Sequence, residues 1–279
     1  MRVLVVGAGG FLGRHLMAAL QAQGHAAQAA RLDWREAHKP KTWATLVKGM
    51  DAAIYLPGTV RDTAQGRSGW LDLLHHQAPL ALAQAKPPLL IHVSALCAGP
   101  SGYARTKQAG DVALLAQAQQ TGQLLHIVQP SLVFGQGGIT SRQLQGLTRL
   151  PVLPLPGAMQ NCRLQPVRVE DLVEALVRLL NQAPQGCPLV AAGAEIDTLP
   201  AWLARRRAQQ GKRPARIVKV PEWLTQSSAR LGDHLSISSW NRQTLNLLQH
   251  DSIAPDPEQT AWMTALLGRP LRSVLEGAW

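Results

Sequence analysis

The chain opens with strand-forming residues 2–6, which run without a break into Gly7-Ala8-Gly9-Gly10-Phe11-Leu12-Gly13 and then into an apolar helical pattern over residues 11–23. Glycines at positions 7, 10 and 13 let the backbone turn tightly between strand and helix. They also allow close approach of a partner, and they leave the first N–H groups of the helix free for an anion. Gly-x-x-Gly-x-x-Gly between a strand and a helix, at the start of a βαβ pattern, points to a dinucleotide with its diphosphate on that helix end. Position 12 is Leu, so the turn is not the Gly-x-Gly-x-x-Gly of common two-domain dehydrogenases. The turn nominates Gly7, Gly9, Gly10, Phe11, Leu12, Gly13 and Arg14 as cofactor-binding residues.

Short β-rich runs then alternate with longer helical patterns, which predicts a doubly wound parallel α/β sheet with helices on both faces, a Rossmann fold. Strands are expected at 2–6, 26–31, 52–56, 89–94 and 124–129, and helices at 11–23, 43–49, 70–86 and 103–121. Too little chain separates the second strand from Asp51 for a full crossover. A third strand is therefore either very short or merged around residues 32–34. Residues 135–165, rich in Gly, Pro and Gln, read as irregular. A helix over 170–181 has its apolar face in Leu172, Leu176 and Leu179 or Leu180. Beyond it lie short helices at 199–210, 221–231, 240–249 and 258–267, with one strand at 217–220. The expected division is a dinucleotide-binding domain over 1–165, then a last sheet-covering helix and a small, mainly helical substrate or lid portion over 166–279.

Composition narrows the class. Hydrophobic residues make up 46% and charged residues 16%, too apolar and too weakly charged for a disordered chain. No apolar run reaches the roughly 18 residues of a membrane span. The amino terminus has no leader pattern, so a cytoplasmic protein is expected. Cys97, Cys162 and Cys187 lack metal or disulfide spacing and read as small apolar residues. The 28 Lys and Arg oppose 17 Asp and Glu, a net +11, with Arg205, Arg206, Arg207, Lys212, Arg213 and Arg216 clustered. No nucleic-acid motif accompanies them. A solvated basic face is the plain reading, and peripheral docking to a membrane or a protein complex is the sharper one.

The end of the second strand selects the cofactor, because Arg there pairs with a 2′-phosphate and an acid with a 2′-hydroxyl. Arg31 holds that place, which favours NADP(H) over NAD(H); Asp33 lies close enough to compete or to meet the adenine side. Tyr103 and Lys107 stand four residues apart near a helix start and share a face. A phenol that exchanges a proton while a neighbouring ammonium lowers its pKa suits proton transfer coupled to hydride transfer at a carbonyl or alcohol. Ser94, at the preceding strand end, has a hydroxyl able to hold the substrate oxygen. The catalytic candidates are Tyr103, Lys107 and Ser94; no metal site is expected. His25, His92 and His126 read as core histidines, Glu170 and Asp171 as carboxylates opening a helix, and the carboxyl-terminal tryptophans as packing.

With the glycine turn, His92-Val93-Ser94-Ala95-Leu96, Tyr103-Ala104-Arg105-Thr106-Lys107, Pro130-Ser131-Leu132-Val133-Phe134-Gly135 and residues 150–157, nearly the whole chain resembles the short-chain dehydrogenase/reductase superfamily. The likeness is to its extended and atypical members, among them NAD-dependent epimerase/dehydratase-like proteins and the NADPH-binding accessory subunit of respiratory complex I. That resemblance implies Tyr103 as acid/base and Lys107 on the nicotinamide ribose. It places Ser94 on a small-molecule substrate, with Pro130 and Ser131 beside the nicotinamide. It also admits a second class, a non-catalytic NADPH-binding protein with a structural, sensing or assembly role. The segment between Ser94 and Tyr103 is shorter than in sugar epimerases, His75 or His76 stands where the family often has a structural Asn, and Gln129 where relatives carry Arg.

Overall fold

A computed structural model describes residues 1–60, 69–97, 99, 101–234, 245 and 249–276. Along the chain, β1 (Arg2–Val6) leads through the glycine turn to α1 (Phe11–Ala22), β2 (Ala26–Ala29), α2 (Pro40–Val47) and β3 (Ala52–Tyr55). After β3 come α3 (Trp70–Asp72), a π-helical stretch Leu73–Gln77, α4 (Ala78–Gln84), β4 (Leu89–Val93), α5 (Gly102–Thr121) and β5 (Leu124–Pro130). The later elements are β6 (Val133–Phe134), α6 (Ile139–Leu147), β7 (Val152–Pro156), α7 (Gly157–Asn161), β8 (Arg163–Leu164), β9 (Val167–Arg168), α8 (Val169–Leu179) and β10 (Leu189–Ala191). The last are β11 (Asp197–Thr198), α9 (Leu199–Gln209), β12 (Arg216–Val220), α10 (Glu222–His234) and α11 (Ala261–Leu267).

Six strands form a parallel sheet in the order β10-β5-β4-β3-β1-β2. Its central strands are apolar on both faces, as a sheet covered twice requires. Val3 and Val5 of β1 face the side of α1, α8 and α11, where Leu16, Leu172, Leu176 and Met263 pack. Leu4 and Val6 face α2, α4 and α5 through Trp43, Leu82 and Leu114. The chain leaves β1 in opposite directions on its way to β2 and β3, so the cleft at their carboxyl ends is a topological switch point.

The expected third strand is absent: residues 30–51 hold a 3₁₀ turn, Trp34–Glu36, and α2. Proline at the first position of α2 starts that helix earlier than residue 43, since its missing N–H needs no partner there. The 70–86 helix is interrupted by the π stretch just before Pro79, where the ring cannot donate to the preceding turn. Residues 135–165 are not irregular; they contain α6, β7 and α7. With α9 they bury Phe134, Leu153, Leu155, Met159, Trp202 and Leu203 in a second, smaller core. The sheet itself extends past residue 165, since β10 is its sixth strand and α11 returns to cover it. The helix expected over 240–249 falls almost entirely outside the described residues. None of the described helices is long and apolar enough to cross a membrane.

Charge placement departs from expectation in two places. Asp171 is not merely at a solvated helix start but wholly buried. It accepts from Arg269 Nη2 at 2.8 Å, Arg272 Nη1 at 2.9 Å and the Arg272 amide at 2.7 Å, tying the last described segment to α8. In the Arg205–Arg216 cluster, Arg207 is buried and donates to the carbonyls of Thr148, Leu150 and Arg213. Arg205 pairs with Glu195 and Asp197, and Arg206 donates to the Leu275 carbonyl. Half the basic cluster is therefore structural. Asp171→Ala takes this acceptor from two guanidinium groups and an amide, leaving Glu174 as the guanidinium groups' one carboxylate partner among the described residues. It should destabilise the protein by roughly 2 kcal/mol in urea unfolding, the scale of lost hydrogen bonds to a charged group; a change under about 0.5 kcal/mol contradicts the clamp.

Candidate active site

Gly7 has φ +85°, which opens the turn, and Gly10 N–H donates back to its carbonyl at 3.0 Å. Gly13 closes it: a Cβ there would lie 2.2 Å from the Gly7 carbonyl oxygen, so α1 can meet the strand end only with glycine at that position. Gly9 is exposed, and a Cβ on it would meet nothing within 4 Å. The amino end of α1 carries no side-chain cap and no acid in its first turn, so its first N–H groups are left without a side-chain acceptor among the described residues. Arg14 Nη1 donates to the Gly9 carbonyl at 2.7 Å, bringing a guanidinium to the rim. Phe11 stands edge-on to His15 at 5.4 Å. Free amides, open space at Gly9 and a cation alongside fit a diphosphate.

The cradle adjoins the second half of the site. A Cβ on Gly7 would meet Pro57 at 3.3 Å, and one on the next residue, Gly58, would meet Lys107 Nζ at 3.5 Å. Lys107 is buried, and its ammonium donates to the Val93 carbonyl at 3.1 Å, at the end of β4. Burial pulls its pKa down to about 8, with Asp111 drawing it back up. Ser101 caps α5 by accepting from the Ala104 amide, which fixes the turn that carries Tyr103. The Tyr103 ring stands edge-on to His75, centroids 5.1 Å apart. Burial pushes the phenol above its ordinary pKa, the opposite of the expected tuning by Lys107, whose ammonium is engaged by Val93.

His75 was expected only as a stand-in for a structural Asn, yet it organises this wall. Its Nε2 accepts from the Thr59 amide at 3.2 Å, so the ring proton sits on Nδ1 and is donated to Thr106 Oγ1 at 2.9 Å. Burial, then Lys107, lowers its pKa to about 3, and the ring is neutral at ordinary pH. Gly110 makes this packing possible: a Cβ would approach the His75 carbonyl oxygen to 2.0 Å.

Asp111 is a candidate that sequence reasoning missed, although Tyr103, Lys107 and Asp111 repeat every four residues on one helix face. It is buried, and its Oδ2 accepts from Ser94 Oγ and Gln129 Nε2, each at 2.8 Å. Its Oδ1 faces His92 Nε2 at 3.6 Å, and neither atom has a hydrogen-bond partner among the described residues. Burial raises the Asp111 pKa and holds His92 well below its ordinary value. Ser94 thus faces inward in this structure, toward Asp111.

Other nominated residues are less concentrated. Arg31 is exposed beyond β2 and lines a surface hollow of about 590 Å³ along that edge, together with Arg2, Gln28 and Met50. Asp33 accepts from the Arg35 amide at 3.0 Å and caps the 3₁₀ turn. Pro130 ends β5, while Ser131 Oγ donates to the Gln165 carbonyl. No cluster of three metal-ligating side chains occurs among the described residues.

No protein-family model matches the chain. A ceramide reductase of Caulobacter vibrioides is 30% identical over 194 residues, 63% of this chain, and the match spans 59% of that protein's length. The human epimerase family protein SDR39U1, solved with NADPH, superposes with a TM-score of 0.67 at 18% identity, over 94% of this chain and 93% of that one. The dTDP-glucose 4,6-dehydratase DesIV of Streptomyces venezuelae, solved with NAD, gives 0.69 at 16% identity over 98% and 92%. The chain has the extended short-chain dehydrogenase/reductase fold. A smaller carboxyl-terminal region beside the six-stranded sheet goes with that fold, and here it is built around the second core.

Two glycine substitutions separate folding from binding at the cradle. Gly13→Ala drives a methyl into backbone and should lower both stability and dinucleotide affinity. Gly9→Ala should leave stability within about 0.5 kcal/mol while weakening dinucleotide binding at least tenfold, about 1.4 kcal/mol. Thermal melts and fluorescence titration read the two quantities. Full affinity in Gly9→Ala would place the diphosphate elsewhere.

Proposed function

We propose that the chain is an NADP(H)-dependent oxidoreductase that interconverts a carbonyl and an alcohol with Tyr103 as the acid/base. The observation that carries the reading is the contiguity of cradle and Tyr-Lys helix, joined through Pro57 and Gly58. The glycine turn and the free amides of α1 would hold the diphosphate, with Arg14 beside it. Arg31 would meet a 2′-phosphate, and Lys107 would meet the nicotinamide ribose. When bound, the nicotinamide supplies the hydride that reaches the carbonyl carbon. Tyr103 gives its hydroxyl proton to the carbonyl oxygen in the same reduction, so one C–H and one O–H bond form as the C=O π bond is lost. The ammonium of Lys107 favours the phenolate left behind once it turns from Val93 toward the ribose and Tyr103. His75 fixes the ring of Tyr103 from the side without titrating.

The Caulobacter relative makes keto forms of ceramide-like lipids the first substrates to assay, followed by nucleotide-sugar ketones. The inward turn of Ser94 favours a second reading, a protein that binds NADPH without turnover. Tyr103→Phe decides between them: the enzyme reading expects a 10²- to 10⁴-fold loss of NADPH oxidation with coenzyme affinity unchanged. A wild-type protein that binds NADPH and oxidises it with neither substrate set supports the second.

Lys107 titrates within reach of assay. Its buried ammonium is charged below about 8 and neutral above. The rate of reduction should therefore fall as pH rises through 8 to 9, and a rate constant to pH 10 contradicts its role. Arg31→Ala should cut NADPH affinity about tenfold and leave NADH affinity unchanged; equal losses for both remove Arg31 from cofactor selection.

A further inference from the structure

We infer that the strand pair β7–β12 and the first turn of α10 form a docking surface for an anionic lipid bilayer. β12 lies parallel to β7, with Arg216 beside Val152 and Val218 beside Pro154. Alternation puts Leu153 and Leu155 into the second core, while Val152, Pro154, Arg216 and Val218 share the opposite face, and all four are exposed. Val152 is 45% and Val218 43% exposed, and Leu150, just before β7, is 42% exposed. The chain then turns at Pro221 into α10, whose first residues include Trp223 at 70% and Leu224 at 45% exposure. A tryptophan left this open, next to an apolar strand face, is unusual for a surface that meets only water.

Charge selects the occupant. Between Leu199 and Arg230 the sequence carries eight Lys and Arg against one acid, Glu222. Of those cations, Arg207 is buried, Arg206 donates to the Leu275 carbonyl, and the exposed Arg205 pairs with Glu195 and Asp197. Lys212, Arg213, Arg216, Lys219 and Arg230 remain exposed, and none forms an ion pair among the described residues. Arg216 lies on the apolar strand face itself, beside Val152. Protein interfaces deplete lysine at their centres. A headgroup layer instead accepts apolar side chains, an interfacial Trp and snorkelling cations together. The same cations attract the negative leaflet and lose that attraction in salt. This surface lies in the smaller region and uses none of the residues assigned to the redox site, so it stands or falls separately from the proposed reaction.

Co-sedimentation of the full chain with vesicles tests it, comparing phosphatidylcholine alone with phosphatidylcholine containing 30% phosphatidylglycerol. The wild type should partition at least tenfold more strongly into the anionic vesicles and release as salt is raised from 0.1 to 0.5 M. Trp223→Ser with Leu224→Ser, both at exposed positions, should lower that partitioning at least tenfold with the thermal melt unchanged. Arg216→Glu should do so independently of those two. Equal partitioning into neutral and anionic vesicles overturns the proposal, as does undiminished binding by folded variants of both kinds. Concentration-dependent dimerisation of the wild type without vesicle binding, abolished by the Trp223 variant, assigns the surface to a second copy and also overturns it.

Discussion

Two contacts between backbone atoms hold the site together, and each exists because a side chain is missing. At Gly13 the first turn of α1 rests on the Gly7 carbonyl; at Gly110 the middle of α5 rests on the His75 carbonyl. The first contact shapes an anion cradle out of a strand end and a helix start. The second brings α5 close enough to the Leu73–Gln77 turn for His75 to brace Tyr103. A methyl at either place would have to displace backbone, which a close-packed interior resists. Between the two contacts, Pro57 and Gly58, just past the end of β3, link the cradle to Lys107.

Around that frame the protein keeps an unusual group of ionisable side chains out of water. Lys107, Asp111, His75 and His92 are all buried near the ends of β4 and α5. Burial penalises every charged form, so the imidazoles and the ammonium shift down and the carboxyl shifts up. Burial brings Lys107 down to about 8. Asp111 connects it indirectly with Ser94 and Gln129, so the interior beneath Tyr103 is a hydrogen-bonded polar layer inside an otherwise apolar sheet. Such layers are characteristic of places where charge moves.

The sheet was readable from sequence because strands such as Leu89–Val93 are continuous apolar runs and helices such as Gly102–Thr121 end in glycine. The turn at Gly7–Gly13 and the pair Tyr103 and Lys107 were readable because local spacing defines them. What escaped depended on distant partners. β10 is three residues long and becomes a strand only by pairing with β5. β7, with its alternating prolines, is a strand because β12 runs beside it. The roles of His75 and Asp111 come from the crossing of α5 over the π turn, and the inward turn of Ser94 from the carboxylate on the neighbouring helix. Arg207 looked like surface charge and Asp171 like a carboxylate opening a helix, and only packing reveals them as buried clamps.

The central claim is that the glycine turn receives a coenzyme diphosphate and directs the nicotinamide toward Tyr103 and Lys107. A crystal structure of the protein grown with saturating NADPH tests this most directly. The account predicts diphosphate oxygens within about 3 Å of the amides of Phe11 and Leu12, and the nicotinamide ribose in contact with Lys107. Coenzyme bound away from the α1 terminus, or a cradle that stays empty at saturation, would contradict it.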